Sequence, residues 1–146
     1  MTAAAQMPGR ILGIDYGSTR VGLAVSDPLR IIAQGVGTID NDDRLYDRIA
    51  VIIREQEVAL ILVGMPYAPD GGEGGKGREV RGFIENLRRT TAVPIETWDE
   101  SFSSVNAQSA MIHAGMRRKK RRVKGRVDEM AARLLIQEYL DSHHHG

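Results

Sequence analysis

Residues 9–27 read G-R-I-L-G-I-D-Y-G-S-T-R-V-G-L-A-V-S-D, and the rest of the chain is organised around this stretch. Two apolar runs, residues 10–14 and 21–25, flank a turn at Gly17 and Ser18 and predict a β-hairpin. Asp15 ends the first strand, where a carboxylate can face a cleft while its backbone stays fixed. The alternative interpretation is that Asp15 only caps the turn, as Asp often does. The other acids of the chain have to decide between the two.

Length and composition bound the class of protein. The chain has 146 residues with 42% hydrophobic and 27% charged side chains, which is typical of one globular domain. It has no cysteine, which excludes disulfides and thiolate zinc sites and suits a reducing compartment. No apolar run approaches the roughly 18 residues needed to cross a bilayer, and the N-terminus lacks the features of a secretory signal. We therefore expect a cytoplasmic protein without a membrane partner.

Charge is unevenly distributed along the chain. Residues 1–100 carry 11 Lys/Arg against 15 Asp/Glu, whereas residues 101–146 carry nine against four. Most of the excess lies in residues 117–126, whose eight cations are Arg117, Arg118, Lys119, Lys120, Arg121, Arg122, Lys124 and Arg126. This block predicts a basic loop that binds nucleic-acid phosphates with little sequence selectivity. The alternatives are a solvated surface loop and a ribosome-docking tail.

Hydrophobic periodicity predicts the order β-β-β-α-β-α-β-α, then the basic loop and a final helix. A meander of three strands followed by βα crossovers gives a five-stranded mixed sheet, with three antiparallel strands, two parallel strands and flanking helices. Its first strand should be central. The predicted strands are residues 10–14, 21–25, 31–39, 58–63 and 94–98. The first predicted helix follows the N-cap candidates at 40–43 and ends near 56, the third follows the cap candidates from 101, and the last runs from about 127 to 140. A Gly- and Pro-rich loop covers 64–77, and the second helix after it carries an apolar stripe of Val80, Phe83, Ile84 and Leu87.

Three acids from distant parts of the chain map to one edge of this sheet. Asp15 and Glu100 follow strands at the carboxyl edge, where open α/β sheets bind ligands, and Asp128 falls in the predicted first turn of the last helix. Converging carboxylates repel one another unless a cation relieves them, and oxygen donors favour one or two Mg²⁺ or Mn²⁺ ions. Such ions support phosphodiester hydrolysis. Alternatively, the helix dipole accounts for Asp128, and Asp99 with Glu100 simply begins a loop.

The hairpin turn and the residues beside the acids supply further candidates. Thr19 and Arg20 offer a hydroxyl and a guanidinium to a phosphate, although an ordinary turn with one solvated cation explains them equally well. Tyr16 and Trp98 flank two of the acids and could stack on an unpaired base, with core packing as the alternative for Trp98.

Four motifs in order, G-I-D-Y-G-S-T-R-V-G-L-A-V-S-D, V-G-M-P-Y-A-P-D-G-G-E-G, W-D-E-S-F-S-S and R-V-D-E-M-A-A, closely resemble the YqgF (RuvX) family. Its members are RNase H-like proteins described as Holliday junction resolvases or as nucleases that mature the small-subunit ribosomal RNA precursor. The resemblance implies one RNase H-like nuclease domain over residues 9–141, with residues 1–8 and 142–146 as disordered tails. It also implies that Asp15, Glu100 and Asp128 are the catalytic and metal-binding acids, with Glu100 preferred to Asp99.

The resemblance implies a metal-dependent nuclease that processes the 5′ end of pre-16S rRNA, acting on ribosomal particles as a monomer or homodimer. The alternatives are a Holliday junction resolvase acting on branched DNA and a non-catalytic factor that binds ribosomes or nucleic acid. A sugar-kinase-like ATPase domain opens with a similar turn, but needs two such domains around its cleft. Two departures bear on activity: Ser101 stands where the family continues with Arg, and Ala131 stands where RuvC-type resolvases carry a fourth acid.

Overall fold

A computed structural model of the chain describes residues 8–66, 74–99 and 120–144, with side chains in the last range described for 129–143. The described residues form five strands and three helices. In chain order these are β1 (Arg10–Asp15), β2 (Arg20–Ser26), β3 (Ala33–Asp40), α1 (Leu45–Glu55), β4 (Val58–Met65), α2 (Gly75–Arg88), β5 (Ile95–Asp99) and α3 (Lys120–His144). The helix predicted to start near residue 101 lies outside the described residues.

The five strands form one sheet in the order β3-β2-β1-β4-β5. The pairs β1/β2 and β2/β3 are antiparallel, whereas β1/β4 and β4/β5 are parallel. The predicted mixed sheet with a central first strand is therefore confirmed. Strand β4 reads V-A-L-I-L-V-G-M without alternation because helices cover both of its faces.

Alternate residues of the central strands face two separate hydrophobic cores, as the two-residue period of a strand requires. Leu12 and Ile14 of β1 pack on the face that α1 and α2 cover, where the predicted stripe Val80, Phe83, Ile84 and Leu87 is buried. Ile11 packs on the opposite face, which α3 covers with Ala132, Leu135 and Ile136. By the same alternation, Gly13 and Asp15 belong to the face of α3.

Helix α3 approaches β1 more closely than a side chain at Gly13 would allow. A Cβ atom built at Gly13 would lie 2.5 Å from Cγ1 of Ile136 and 3.1 Å from the backbone oxygen of Ala132. A contact of 2.5 Å is far shorter than ordinary carbon–carbon packing. Glycine at position 13 therefore sets how close the helix lies to the central strand.

The prediction of a basic loop over residues 117–126 is wrong for its described part. Helix α3 begins at Lys120, so the five cations from Lys120 to Arg126 lie on helical backbone, while Arg117, Arg118 and Lys119 lie outside the described residues. Lys and Arg are good helix formers, and the packed half of α3 propagates the helix backwards past Gly125, which costs only about 1 kcal/mol. At its other end α3 includes residues 142–144, which were expected in the tail.

The connection between β2 and β3 is built around the Asp27 carboxylate. It accepts hydrogen bonds from the backbone N–H groups of Leu29 (3.1 Å), Ile31 (2.7 Å) and Ile32 (2.8 Å). Because these amides turn toward Asp27, β3 starts at Ala33 instead of residue 31. Arg30 has a positive φ of 58° there, and its Nε donates to the Gly9 carbonyl at 2.8 Å.

We expect Gly13→Ala to lower the free energy of unfolding by about 1–3 kcal/mol, because the added methyl group overlaps the Ile136 side chain and crowds the backbone oxygen of Ala132. Gly82→Ala is the matched control: Gly82 lies in α2 with nothing within 4 Å of an added Cβ. That change should raise stability by about 0.5–1 kcal/mol through helix propensity. Urea unfolding of both variants measures the difference, and equal effects would contradict the close approach of α3.

Acid should weaken the wild-type protein through Asp27. Burial tends to raise the pKa of Asp27, but the amides of Ile32, Ile31, Leu29 and Asp27 itself together hold it below the ordinary value of about 3.9. A depressed folded-state pKa gives stability that is present above the unfolded value and is lost as pH falls through the folded value.

Urea unfolding of Asp27→Asn against wild type at pH 7 and at about pH 3 tests this. The variant should be less stable at pH 7, since its amide group faces the Leu29 N–H. The difference in the free energy of unfolding between the two proteins should be smaller at about pH 3. A difference that stays constant would show that ionisation of the Asp27 carboxyl group does not contribute to stability.

Candidate functional site

The carboxyl ends of β1, β4 and β5 lie at the same edge of the sheet. Ile14 pairs with Val63, which pairs with Thr97, so Asp15 stands level with Gly64 and Trp98. Asp15 is half-buried, and its backbone is fixed by antiparallel pairing with Gly22. Asp99, the last residue of β5, is exposed at this edge. Glu100 comes next in the chain and lies outside the described residues.

Helix α3 runs away from this edge, toward the opposite end of the sheet. Glu129 lies against Gly35 of β3, and further along the helix Oε1 of Gln137 accepts a hydrogen bond from Ala33 N–H at 3.2 Å. Strand β3 runs parallel to β1, so α3 runs antiparallel to both. Position 128 is one helical turn before Ala132, which packs over Gly13, and is therefore displaced toward Asp15.

The helix-dipole account of Asp128 is wrong. Helix α3 starts at Lys120, eight residues earlier, so Asp128 is beyond the second turn and not in the first. The favourable effect of a helix N-terminus on a carboxylate falls off within the first turn. A local electrostatic reason for an acid at this position is thus removed, while the side chain of Asp128 lies outside what the structure describes.

Neither residue 131 nor Glu129 supplies a fourth carboxylate beside Asp15. Ala131 is 5% exposed and packs in the core between α3 and the sheet. The Glu129 carboxyl group lies 2.8 Å from an ideal Cβ at Gly35, on β3, two strands away from β1. Asp99 keeps its place at the carboxyl edge as the last residue of β5.

The turn after Asp15 is held by a residue that the sequence analysis missed. Nδ2 of Asn41 donates to the Gly17 carbonyl at 2.7 Å, and the Asn41 N–H donates to the Thr19 carbonyl at 2.9 Å. Thr19 is exposed, and Arg20 starts β2 half-buried. Asn41 follows β3, 24 residues from Gly17, so no local pattern could have revealed the contact.

The two aromatic residues beside the acids are engaged in packing. The Tyr16 ring lies 4.6 Å from the Phe83 ring, and Nζ of Lys76 lies 5.5 Å from the Tyr16 centroid. Trp98 donates from Nε1 to Glu138 at 3.0 Å and meets Tyr139 edge-on at 5.4 Å. The packing interpretation of Trp98 is therefore confirmed.

The described residues contain no group of three or more His, Asp or Glu side chains placed to hold a metal ion. Two of the three predicted ligands, Glu100 and the side chain of Asp128, are not among them. The chemistry of the donor set is still informative. Asp15 contributes a carboxylate on rigid backbone, and the chain carries no thiol that would favour a softer metal.

None of the helices in the described ranges combines the length and apolar character that crossing a membrane requires.

The family model and the curated relatives that match this chain agree on one family. A family model described as RuvX, Holliday junction resolvase, matches residues 9–142. A protein of Desulforamulus reducens named "Putative pre-16S rRNA nuclease" is 44% identical over 135 residues, covering 91% of this chain and 97% of its own length. A protein of the same name from Chlorobaculum tepidum is 42% identical over 136 residues, covering 92% and 94%.

Solved structures with the same fold include resolvases bound to branched DNA. Thermus thermophilus RuvC in complex with a Holliday junction substrate aligns with a TM-score of 0.56 at 14% identity, covering 92% of this chain and 95% of RuvC. The fowlpox virus resolvase in complex with Holliday junction DNA aligns with a TM-score of 0.52 at 14% identity, covering 92% and 98%. These likenesses show the fold, which is RNase H-like as predicted.

We expect Asn41→Ala to lower the free energy of unfolding by about 1 kcal/mol or more, because it removes a part-buried hydrogen bond and leaves the Gly17 carbonyl without that donor. Asn86→Ala is the control, since Asn86 makes an exposed 3.3 Å hydrogen bond to Tyr46 and should change stability little. Thermal unfolding of the two variants is the measurement. An Asn41→Ala protein as stable as Asn86→Ala would show that this clamp, the hydrogen bond from the Asn41 side chain to the turn, contributes nothing to stability.

Proposed function

The chain belongs to the RuvX family, described as Holliday junction resolvases, and from this premise we propose that it is a metal-dependent nuclease. It hydrolyses phosphodiester bonds of structured nucleic acid. The preferred substrate is pre-16S rRNA, because relatives above 40% identity over nine-tenths of the chain are named as nucleases of that RNA. The 5′ end is the part that the family resemblance implies. A substrate of this kind implies the cytoplasmic location expected from the sequence.

The convergence of β1, β5 and α3 on one edge of the sheet carries the proposal. Asp15 ends β1 at that edge, β5 leads directly into Glu100, and α3 brings position 128 toward Asp15. Three elements from distant parts of the chain thus each deliver an acidic residue. Asp99 is the last residue of β5 and precedes Glu100 in the chain. Of the two we assign the role to Glu100, as the family resemblance implies.

We assign Asp15, Glu100 and Asp128 as the residues that hold one or two Mg²⁺ or Mn²⁺ ions. When bound, the ions supply an activated water and stabilise the leaving oxygen. The protein contributes pre-organisation. Pairing with Gly22 fixes the backbone of Asp15, and the contact of Ala132 with β1 fixes the height of the helix that carries Asp128. Precise placement of ligands by rigid elements is what such chemistry needs.

The basic residues supply affinity for the phosphate backbone. Positions 120–126 belong to the same helical backbone as position 128. Positions 121 and 124 are seven and four residues before 128 and share its stripe of the helix. The cations of residues 120–126 would bind phosphates beside the acids, with an affinity that falls steeply as salt rises. The other residues that would contribute are Arg117, Arg118, Lys119, Thr19 and Arg20.

Branched DNA is the second candidate substrate, favoured by the family description and by the fold shared with resolvases. The two substrates make different demands on assembly. Resolving a junction takes two symmetric cuts, which a two-fold homodimer provides, whereas one cut at an RNA end needs only a monomer. Sedimentation of the chain with and without a four-way junction separates these cases.

A cleavage panel tests the substrate. Wild-type protein with Mg²⁺ or Mn²⁺ is offered a four-way DNA junction, a precursor rRNA fragment free in solution, and the same precursor within a ribosomal particle. We expect the precursor to be cut. Binding to these nucleic acids without cutting any of them would favour a non-catalytic ribosome-binding factor instead.

Asp15→Asn should reduce cleavage at least about a hundred-fold, because losing a metal ligand costs more than losing an outer-shell partner. Circular dichroism and nucleic-acid binding without metal should stay near wild type. Asp99→Asn is the matched control at the same edge and should retain cleavage. Undiminished cleavage by Asp15→Asn would contradict the assignment of Asp15 as a metal ligand. A loss of cleavage in Asp99→Asn that exceeds the loss in Asp15→Asn would assign the metal-binding role to Asp99 instead of Glu100.

A further inference from the structure

We propose that Lys76 binds a phosphate of the nucleic-acid backbone beside Asp15, an inference that rests on the nuclease function proposed above. Lys76 is at the start of α2, far in sequence from the basic residues 117–126. Its ammonium group would contact a non-bridging phosphate oxygen. The contact would be made from the face of the sheet that α2 covers, opposite to α3. The substrate backbone would then be held between cations of two different helices.

The topology brings Lys76 to the edge of the acids. Helix α2 follows β4 and returns to the start of β5, so its first turn lies where β4 ends. Strand β4 is parallel to β1 and lies beside it, which means that this is also the end at which Asp15 stands. Gly74, Gly75 and Lys76 are exposed there, so a ligand can approach the lysine.

A contact links Lys76 to the residue next to Asp15. Nζ of Lys76 lies 5.5 Å from the centroid of the Tyr16 ring, within the range of a cation–π interaction. The Tyr16 ring is anchored in turn by Phe83, which is 2% exposed and lies 4.6 Å away. The aromatic face therefore restrains a side chain that would otherwise sample many rotamers.

The chemistry of the ammonium group identifies its ligand as an anion. Lysine offers three donors and no acceptor, so it cannot join the carboxylates as a metal ligand. The described residues provide no carboxylate partner for Lys76, in contrast to Arg48 with Asp42 and Arg88 with Glu85. An ammonium group held by a ring and open to solvent on its other side is a point charge suited to phosphate.

The test compares Lys76→Gln with Arg78→Gln. Arg78 is exposed two residues further along the same helix, so both variants lose one charge at nearly the same place, but only Lys76 contacts Tyr16. Binding of a four-way DNA junction and of a precursor rRNA fragment is measured without divalent metal from about 0.05 to 0.2 M salt.

Removing one phosphate contact should lower the slope of log K against log salt by about 0.7–0.9. The affinity of wild type divided by that of Lys76→Gln should therefore fall about three-fold as salt rises from about 0.05 to 0.2 M, and by a similar factor for both nucleic acids. Lys76→Arg should restore the wild-type slope, and Arg78→Gln should keep it.

Wild-type affinity and slope in Lys76→Gln would overturn the proposal, as would an equal loss in Arg78→Gln. The readout is binding without metal, so it is independent of cleavage. A wild-type protein that binds these nucleic acids but cuts none of them would contradict the nuclease function, while the Lys76 contact would still be decided by the slopes.

Discussion

The approach of α3 to β1 at Gly13 is the constraint on which the proposed site depends. The absence of a side chain lets the Ala132 carbonyl and the Ile136 side chain reach the central strand directly. This contact sets the height of the helix above the sheet, and its antiparallel course then carries position 128 toward Asp15. Sites that position several ligands tolerate displacements of only about 0.5 Å, so a lifted helix would separate the acids before it unfolded the domain.

The proposed nuclease function would explain the unequal charge of the two parts of the chain. A substrate backbone is anionic and so is a cluster of carboxylates, and the two repel unless cations stand between them. Metal ions bound between the acids would neutralise them, and the Lys and Arg residues of α3 would attract the phosphates of the substrate. Because α3 carries Asp128 and part of the basic residues on one rigid element, attraction of the substrate and its position relative to the acids are linked.

Hydrophobic patterning predicted most of the fold, because burial against two helical layers leaves a clear mark on β1, β4 and α2. The failures share a physical cause: they depend on contacts that hydrophobic periodicity does not record. The dense positive charge predicted a loop at residues 120–126, whereas α3 extends through them. The amides of Ile31 and Ile32 suited a strand, but Asp27 captures both. Sequence placed Asp15 at the correct edge, yet gave no sign of the Asn41 clamp beside it.

That clamp also bears on the first ambiguity of the sequence, whether Asp15 caps a turn or serves a site. The turn already has a residue that closes it, since Asn41 binds the carbonyls of both Gly17 and Thr19 from outside the hairpin. Asp15 itself belongs to β1 and pairs with Gly22, one residue before the turn begins. The turn therefore has a closing residue other than Asp15. The carboxyl edge of a central strand is where open α/β sheets bind ligands, which agrees with the role proposed for Asp15.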